Sequence, residues 1–397
     1  MAKALYFSYD GLLDPLGQSQ IVPYVSAISA AGHSLTVVSY EKVERTREQI
    51  KLMELKLQKI GVNWVRLEFR SGKFWAIKRL ISGVLLIKKL CSNIQPDFMH
   101  LRGFVPAVIF QLSRSTVPSL YDFRGFALGE WLDMGKVIQS SLLYRVLNQL
   151  DRKAVKSASG LVVLEESAKR LLKETYDVPN VPLKVIRTCT DVKRYTKWKN
   201  INNNENSTLR FVFLGGARFP YRPDLALMLI EKLIEHGVDC NIDFINQGDR
   251  VFIEKASGLT SISKEKIQIL DCEHSEIPDI LASYDCGIVM VETSHWRRVC
   301  SPTKMGEYLA SGLPVISLEG IDAIDELSER TECVTTFSRE ELLGHFQEDR
   351  AQKILSFIKS VGITQKCQIL AKNEFDLEMA INLYVELYSE MEVQILK

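Results

Sequence analysis

The chain has 397 residues, 46% hydrophobic and 25% charged, a composition that excludes a mainly disordered chain and predicts two or three domains of about 150 residues each. Its net charge is only +1, yet residues 1–190 hold 27 Lys and Arg against 16 Asp and Glu, while the remainder holds 23 against 33. That split predicts two domains with different partners, or two surfaces that attract each other, and the near-neutral total argues against a nucleic-acid-binding role.

Taken in chain order, residues 2–9 form a compact apolar run that predicts a buried strand. A loop with Gly and Pro follows, then an amphipathic segment over 19–31 stopped at Gly32. The next expected elements are a strand over 34–40, a helix over 44–60, a strand over 63–68 and a long helix over 74–91. Further buried strands are expected at 97–101, 119–123 and 160–164. The stretch 196–208 is polar and Asn-rich, and reads as an exposed excursion near a domain junction. A second alternating series then begins. It has strands at 209–214, 239–246, 267–270, 285–291 and 314–317, and helices at 224–236, 277–283 and 303–311, with a final helix over 375–392. Two such series predict two doubly wound α/β domains, with ligands at the carboxyl ends of the strands and a cleft between the domains. The eight cysteines lack a C-x-x-C spacing and read as small core residues in a reduced compartment. The sequence shows neither a signal-peptide pattern nor an apolar run of about 18 residues, so a soluble, cytoplasmic protein is expected.

Four stretches carry chemistry. The sharpest is S-P-T-K-M-G-E-Y-L-A-S-G-L-P-V-I at 301–316, read as a loop, a short helix, a Gly stop and a buried strand. Ser301 or Thr303 is expected to cap the helix, and its free backbone N–H groups make an anion site beside the charge of Lys304. Glu307, one turn beyond Thr303, is placed to accept hydrogen bonds from two vicinal hydroxyls; the plain alternative is a capped helix with a solvated Glu307. The second stretch is Y-D-G-L-L-D-P-L-G-Q-S-Q at 9–20, where Gly11 and Gly17 permit a tight turn and close backbone approach. It is not G-x-G-x-x-G, so a dinucleotide cofactor is not expected. The third comprises two strand ends, one with His100 and Arg102 and one with Asp122 and Arg124. Arg102 cannot act as a base, but it can stabilise charge on a leaving diphosphate or anchor an anionic acceptor. Asp122 and Arg124, with Asp10, are candidates for the acceptor side, against the alternative of a local ion pair. The fourth is F-L-G-G-A-R-F-P-Y-R at 213–222, in which Gly216, Arg218 and Arg222 are candidates for diphosphate contact. Residues 73–89 interleave aromatic, aliphatic and basic side chains, and 136–156 add to the basic face. These fit either an anionic bilayer surface or core helices with a basic edge.

The 301–316 stretch resembles the donor-binding signature S-P-x-K-x-x-E-Y-x-A-x-G-x-P-V of the polysaccharide-type subset of family 4 glycosyltransferases. The segment D-P-L-G-Q-S-Q at 14–20 is similar to the D-P-x-G-x-S-Q opening of the same subset. The resemblance implies the GT-B fold: two Rossmann-like doubly wound domains facing a cleft, 1–190 on the acceptor side and 191–375 binding the donor, with 376–397 as a helix returning to the first. It implies a nucleotide-diphosphate sugar as co-substrate and retention of anomeric configuration by front-face attack, while the basic first half leads to the expectation of a glycan or lipid-linked acceptor and of contact with the inner face of a membrane. Carried over, Glu307 holds the nucleotide ribose, Ser301, Pro302, Thr303 and Lys304 surround the diphosphate, and the loop with Gly17 and Gln18 faces the donor phosphates. Two departures stand out. Val299 occupies the position of a second glutamate thought to contact the sugar, and Arg102 stands where many relatives have a His that touches it. No His/Asp cluster has metal-ligand spacing, so neither a metal nor another cofactor is expected. Two rival readings share the architecture: a nucleotide-sugar 2-epimerase and a non-catalytic nucleotide-sugar binding protein.

Overall fold

A computed structural model describes residues 1–42, 44–195, 208–246 and 248–396; most of the polar 196–208 stretch therefore lies outside the described residues. The chain divides into two compact units, Met1–Arg187 with Glu378–Lys397, and Thr188–Leu377.

In the first unit the strands are β1 (Lys3–Ser8), β2 (Ser34–Lys42), β3 (Asn63–Phe69), β4 (Phe98–Arg102), β5 (Ser119–Asp122), β6 (Gly160–Val163) and β7 (Leu183–Val185). The helices are α1 (Pro15–Gln20), α2 (Val22–Ala30), α3 (Arg47–Lys59), α4 (Lys73–Ile94), α5 (Phe104–Ser113), α6 (Ala127–Asp133), α7 (Leu142–Lys156) and α8 (Glu166–Thr175). The strands form one parallel sheet in the order β3-β2-β1-β4-β5-β6-β7. Strands β1, β4, β5 and β6 are buried over nearly their whole length, as apolar runs covered on both faces must be. The sheet grows outward in both directions from the β1–β4 pair, which makes that pair the switch point of the topology.

Two expected helices differ in extent. The 19–31 segment is two helices, because Pro23 lacks the N–H that would continue the first into the second. The chain breaks at Ile21, with φ −126° and ψ −57°. The 44–60 helix starts later, at Arg47. Thr46 accepts from the Gln49 N–H at 3.2 Å and donates its own N–H to the Gln49 side chain at 3.0 Å, a capping box that sets the start.

In the second unit the strands are β8 (Leu209–Leu214), β9 (Cys240–Ile245), β10 (Ile267–Leu270), β11 (Cys286–Val289), β12 (Val315–Leu318) and β13 (Val334–Phe337). The helices are α9 (Pro223–Glu235), α10 (Arg250–Ser257), α11 (Ile277–Leu281), α12 (Thr303–Ala310), α13 (Asp322–Arg330), α14 (Glu348–Ile358) and α15 (Ile363–Glu374). This sheet is also parallel, in the order β10-β9-β8-β11-β12-β13, with its switch point at β8 and β11. One cluster packs α9 and α14 on one face and another packs α12 and α15 on the other. The doubly wound fold expected for both halves is what the structure contains. The last helix, α16 (Leu377–Leu396), joins the first unit over most of its length.

Candidate functional site

In the second unit the candidate residues gather at the carboxyl ends of β8 and β11. Tyr308, fully buried on α12, anchors that helix beneath them. Its hydroxyl accepts from the Leu214 N–H at 2.7 Å and lies 3.3 Å from the carbonyls of Val212 and Ile288. Gly287 on β11 makes room for the ring: a Cβ there would come within 2.5 Å of Tyr308 Cγ. Gly306 lets α12 approach Thr190 and Phe375, whose atoms would lie 3.1–3.3 Å from an added Cβ.

The start of α12 corrects one expectation. Neither Ser301 nor Thr303 caps it. Pro302 is the N-cap residue, with φ −66° and ψ 120°, and no side chain caps the first turn. Ser301 is buried and turned aside: its Oγ lies 2.9 Å from Thr188 Oγ1, which in turn donates to the Ser301 carbonyl at 2.8 Å. A helix end with no side-chain cap and no acidic residue in its first turn favours an anion. Lys304 adds a full positive charge there. Its Nζ lies 3.0 Å from Glu307 Oε2, and Glu307 is only 3% exposed, so the solvated carboxylate of the plain alternative is excluded.

Gly215, at φ +111°, turns the chain immediately after β8, and a Cβ there would sit 3.2 Å from Lys304 Cε. The turn is held by residues that follow β9. Asn246 donates to the Gly215 carbonyl at 2.5 Å and accepts from the Asp249 N–H at 2.6 Å. Asp249 accepts from the Ala217 N–H at 3.1 Å and from Arg218 Nε at 2.6 Å. Gly216 packs on Tyr221, and Arg218 is exposed with its guanidinium 5.0 Å over Phe252. Arg222 is different. Asp224 takes its Nε at 2.8 Å and Glu292 takes a terminal nitrogen, so this guanidinium is paired on two sides within the unit. His274, after β10, is fixed by Arg194, which donates to its carbonyl at 2.8 Å. Burial lowers the His274 pKa, with Glu307 opposing that shift, and burial together with Glu307 raises that of Tyr195. Asn246, Asp249 and His274 were not singled out from sequence. The signal was available: each lies within four residues of the carboxyl end of β9 or β10, strands that pair with β8 or β9.

In the first unit the candidates meet at the carboxyl ends of β1, β4 and β5. Ser8 pairs in register with Arg102, and Arg102 with Asp122. Asp122 is the hub, and it is fully buried. Arg102 donates to it at 3.3 Å and Tyr384 of α16 at 3.0 Å; Arg124 lies 3.6 Å away and His100 Nε2 3.5 Å away. Burial alone would raise this carboxyl, but Arg124, His100 and Arg102 outweigh it and hold it well below the usual carboxylate range. His100 is 1% exposed, with its Nδ1 2.9 Å from Tyr388 Oη and its ring between Tyr6 and Tyr384. Burial lowers its pKa. His100, a catalytic candidate from sequence alongside Arg102, is thus held between Tyr388 and the Asp122 hub. Arg102 is equally enclosed, while Arg124 and Asp10 are the partly open members of the cluster. Burial raises the Asp10 pKa against the pull of Arg102 and Arg124.

The 9–20 loop is closed on itself. Glu41, buried on β2, accepts from the Leu12 N–H at 2.6 Å and the Leu13 N–H at 3.3 Å. Gln18 donates to the Leu12 carbonyl at 2.6 Å, and a Cβ on Gly17 would lie 2.0 Å from the Gly11 carbonyl oxygen. The Leu12 and Leu13 amides of this loop are therefore already held by a carboxylate of the same unit.

No protein-family model matches the sequence, and no curated protein matches it either. Solved structures do. Sucrose-phosphate synthase from Thermosynechococcus elongatus matches with a TM-score of 0.73 at 10% identity, over 99% of this chain and 100% of that one. HepE of Anabaena, in complex with UDP and glucose, matches with a TM-score of 0.67 at 15% identity, over 98% and 100%. An α,α-trehalose-phosphate synthase (UDP-forming) from Burkholderia vietnamiensis matches with a TM-score of 0.67 at 10% identity, over 100% and 99%. The likeness extends over the full length of each chain, and it shows the fold as that of the GT-B glycosyltransferases.

Proposed function

We propose that this chain is a glycosyltransferase that takes a sugar from a nucleotide-diphosphate sugar, retains its anomeric configuration, and passes it to a glycan or lipid-linked acceptor. The observation that carries this reading is the start of α12. There a buried Glu307, Lys304 and a helix end without a side-chain cap adjoin the Gly215 turn at the switch point of the second sheet. Diphosphate suits the helix end and Lys304, because both offer positive charge where negative charge grows as the bond to the anomeric carbon breaks. Arg218, exposed beside the same turn, is a further cation of this unit. Vicinal ribose hydroxyls suit Glu307, whose carboxylate accepts two donors once Lys304 turns toward the phosphates. The donor class is supported by similar structures that bind UDP and glucose or are described as UDP-forming. Retention rests on the resemblance to family 4, and the acceptor class on the basic first half of the sequence.

Calorimetric titration with UDP and GDP tests the site. Glu307→Gln should weaken binding of the preferred nucleotide by about 1–3 kcal/mol, the cost of a lost charged hydrogen-bond partner. Unchanged affinity would overturn the ribose assignment. Transfer itself predicts nucleoside diphosphate release that depends on an added acceptor. An epimeric sugar formed from donor alone would replace transfer by isomerisation.

A further inference from the structure

His274 is held in a chemical form that its own unit does not use. It lies four residues beyond Leu270, the end of the edge strand β10. The turn that carries it is set just before α11. There Glu276 accepts from the Glu273 N–H at 2.7 Å, and Ile277 packs in the core cluster that holds Met305 and Tyr308 of α12. Arg194 reaches His274 from the short turn Val192–Tyr195, whose Tyr195 is buried in the same cluster. Its guanidinium grips the residue at two points. One terminal nitrogen donates to the His274 carbonyl at 2.8 Å, and the other lies 3.2 Å from the ring Nδ1. The second contact decides the tautomer. An arginine has donors and no acceptor, so Nδ1 accepts and the ring proton sits on Nε2. Burial disfavours the charged form, with Glu307 pulling the other way, so the ring is neutral at physiological pH. The Nε2–H is thus a buried donor, and it has no hydrogen-bond partner among the described residues. Such a donor is unfavourable unless something supplies its acceptor.

The surroundings indicate which part of a ligand that acceptor belongs to. Glu307 acts on the His274 ring more strongly than Lys304 does, and the charge of Lys304 is also felt at Cys272 on the same segment. With diphosphate at the start of α12 and ribose at Glu307, the end of β10 falls on the nucleoside side, toward the base. We propose that His274, fixed by Arg194 as an Nε2–H donor, selects a nucleotide whose base offers a carbonyl oxygen, as uracil and guanine do, over one with an amino group in its place, as cytosine and adenine have. The proposal rests on the nucleotide-sugar reading of this site. A carbonyl completes the hydrogen bond, whereas an amino group sets donor against donor and leaves the Nε2–H unpaired. Arg194 is the positioning residue: it touches no ligand in this account, and it acts by denying Nε2 the role of acceptor.

Calorimetric titration of the full chain with UDP, CDP, GDP and ADP tests it. Within the pyrimidine or purine pair that binds more tightly, the carbonyl member should bind at least about tenfold better than the amino member. His274→Ala should bring that ratio to about threefold or less, because neither base then meets a fixed donor. His274→Gln should do the same by another route, since its amide offers a donor to one base and an acceptor to the other. Arg194→Met frees the tautomer and lets Nε2 accept, so it should raise affinity for the amino member, a gain that mere loosening of the turn would not produce. Thermal unfolding with and without inorganic pyrophosphate, a ligand that has no base, reports that each variant is folded and keeps its diphosphate end. Equal affinity for the two members in the unaltered chain would overturn the proposal and leave the nucleotide-sugar reading in place. An unchanged ratio in His274→Ala would have the same meaning. Failure of all four nucleotides to bind the unaltered chain would overturn both.

Discussion

Asp151 is fully buried on α7, where Tyr121 Oη donates to it at 3.0 Å and Tyr176 Oη at 2.6 Å. Burial pushes its carboxyl up to about 6, although the two hydroxyls favour the ionised form. An acid raised in the folded state contributes stability that is full below its unfolded pKa near ~4 and is lost as pH rises through about 6. Asp151→Asn removes that titration. Relative to the variant, the unaltered protein should therefore lose on the order of 2–3 kcal/mol between pH ~4 and ~7. Urea unfolding midpoints across that range measure the difference, and parallel curves would refute it. Asp122 is opposite in sense despite equal burial, because Arg102 and Arg124 surround it. Two buried aspartates in one unit are thus driven apart by their partners alone.

Helix α12 shows how one element assembles a site. Its polar residues Lys304 and Glu307 reach the candidate site, while Tyr308, next in sequence to Glu307, is locked into the sheet through Leu214 N–H. Tyr308→Phe would leave that buried N–H without its acceptor and should cost about 1–3 kcal/mol of stability. It should also weaken UDP binding, since α12 would lose the bond that sets its position against β8. Denaturant unfolding and calorimetry together check this, and an unchanged midpoint would show that the hydroxyl carries no weight. The spacing of S-P-T-K-M-G-E-Y revealed the helix, its Gly stop and the strand after it. It did not reveal that Ser301 turns toward Thr188 instead of capping, because Thr188 is distant in sequence and only folding sets it opposite Ser301.

At the scale of the molecule, α16 is the least expected contributor to the first unit's chemistry. Tyr384 and Tyr388, one turn apart, reach Asp122 and His100, and Met391 packs where Gly160 of β6 leaves room. Removal of Glu378–Lys397 should therefore destabilise the first unit while sparing the second. Limited proteolysis of a chain ended at Leu377 should show rapid loss of the Met1–Arg187 portion and a persistent Thr188–Leu377 fragment. Equal resistance of both portions would refute this division of labour.

What the sequence determined by itself was the alternation of buried apolar runs with amphipathic segments, and so two parallel, helix-covered sheets. It also displayed the strand-to-helix turn at 301–307, since local spacing governs caps, turns and faces. The tertiary structure alone decided which polar groups are spent inside the fold. Arg222 is taken by Asp224 and Glu292, the Leu12 and Leu13 amides by Glu41, and His100 by Tyr388 and Asp122. Each of these ties, save that of Arg222 to Asp224, joins residues far apart along the chain. A charge's availability depends on the partners that burial forces upon it, and no local pattern encodes those partners.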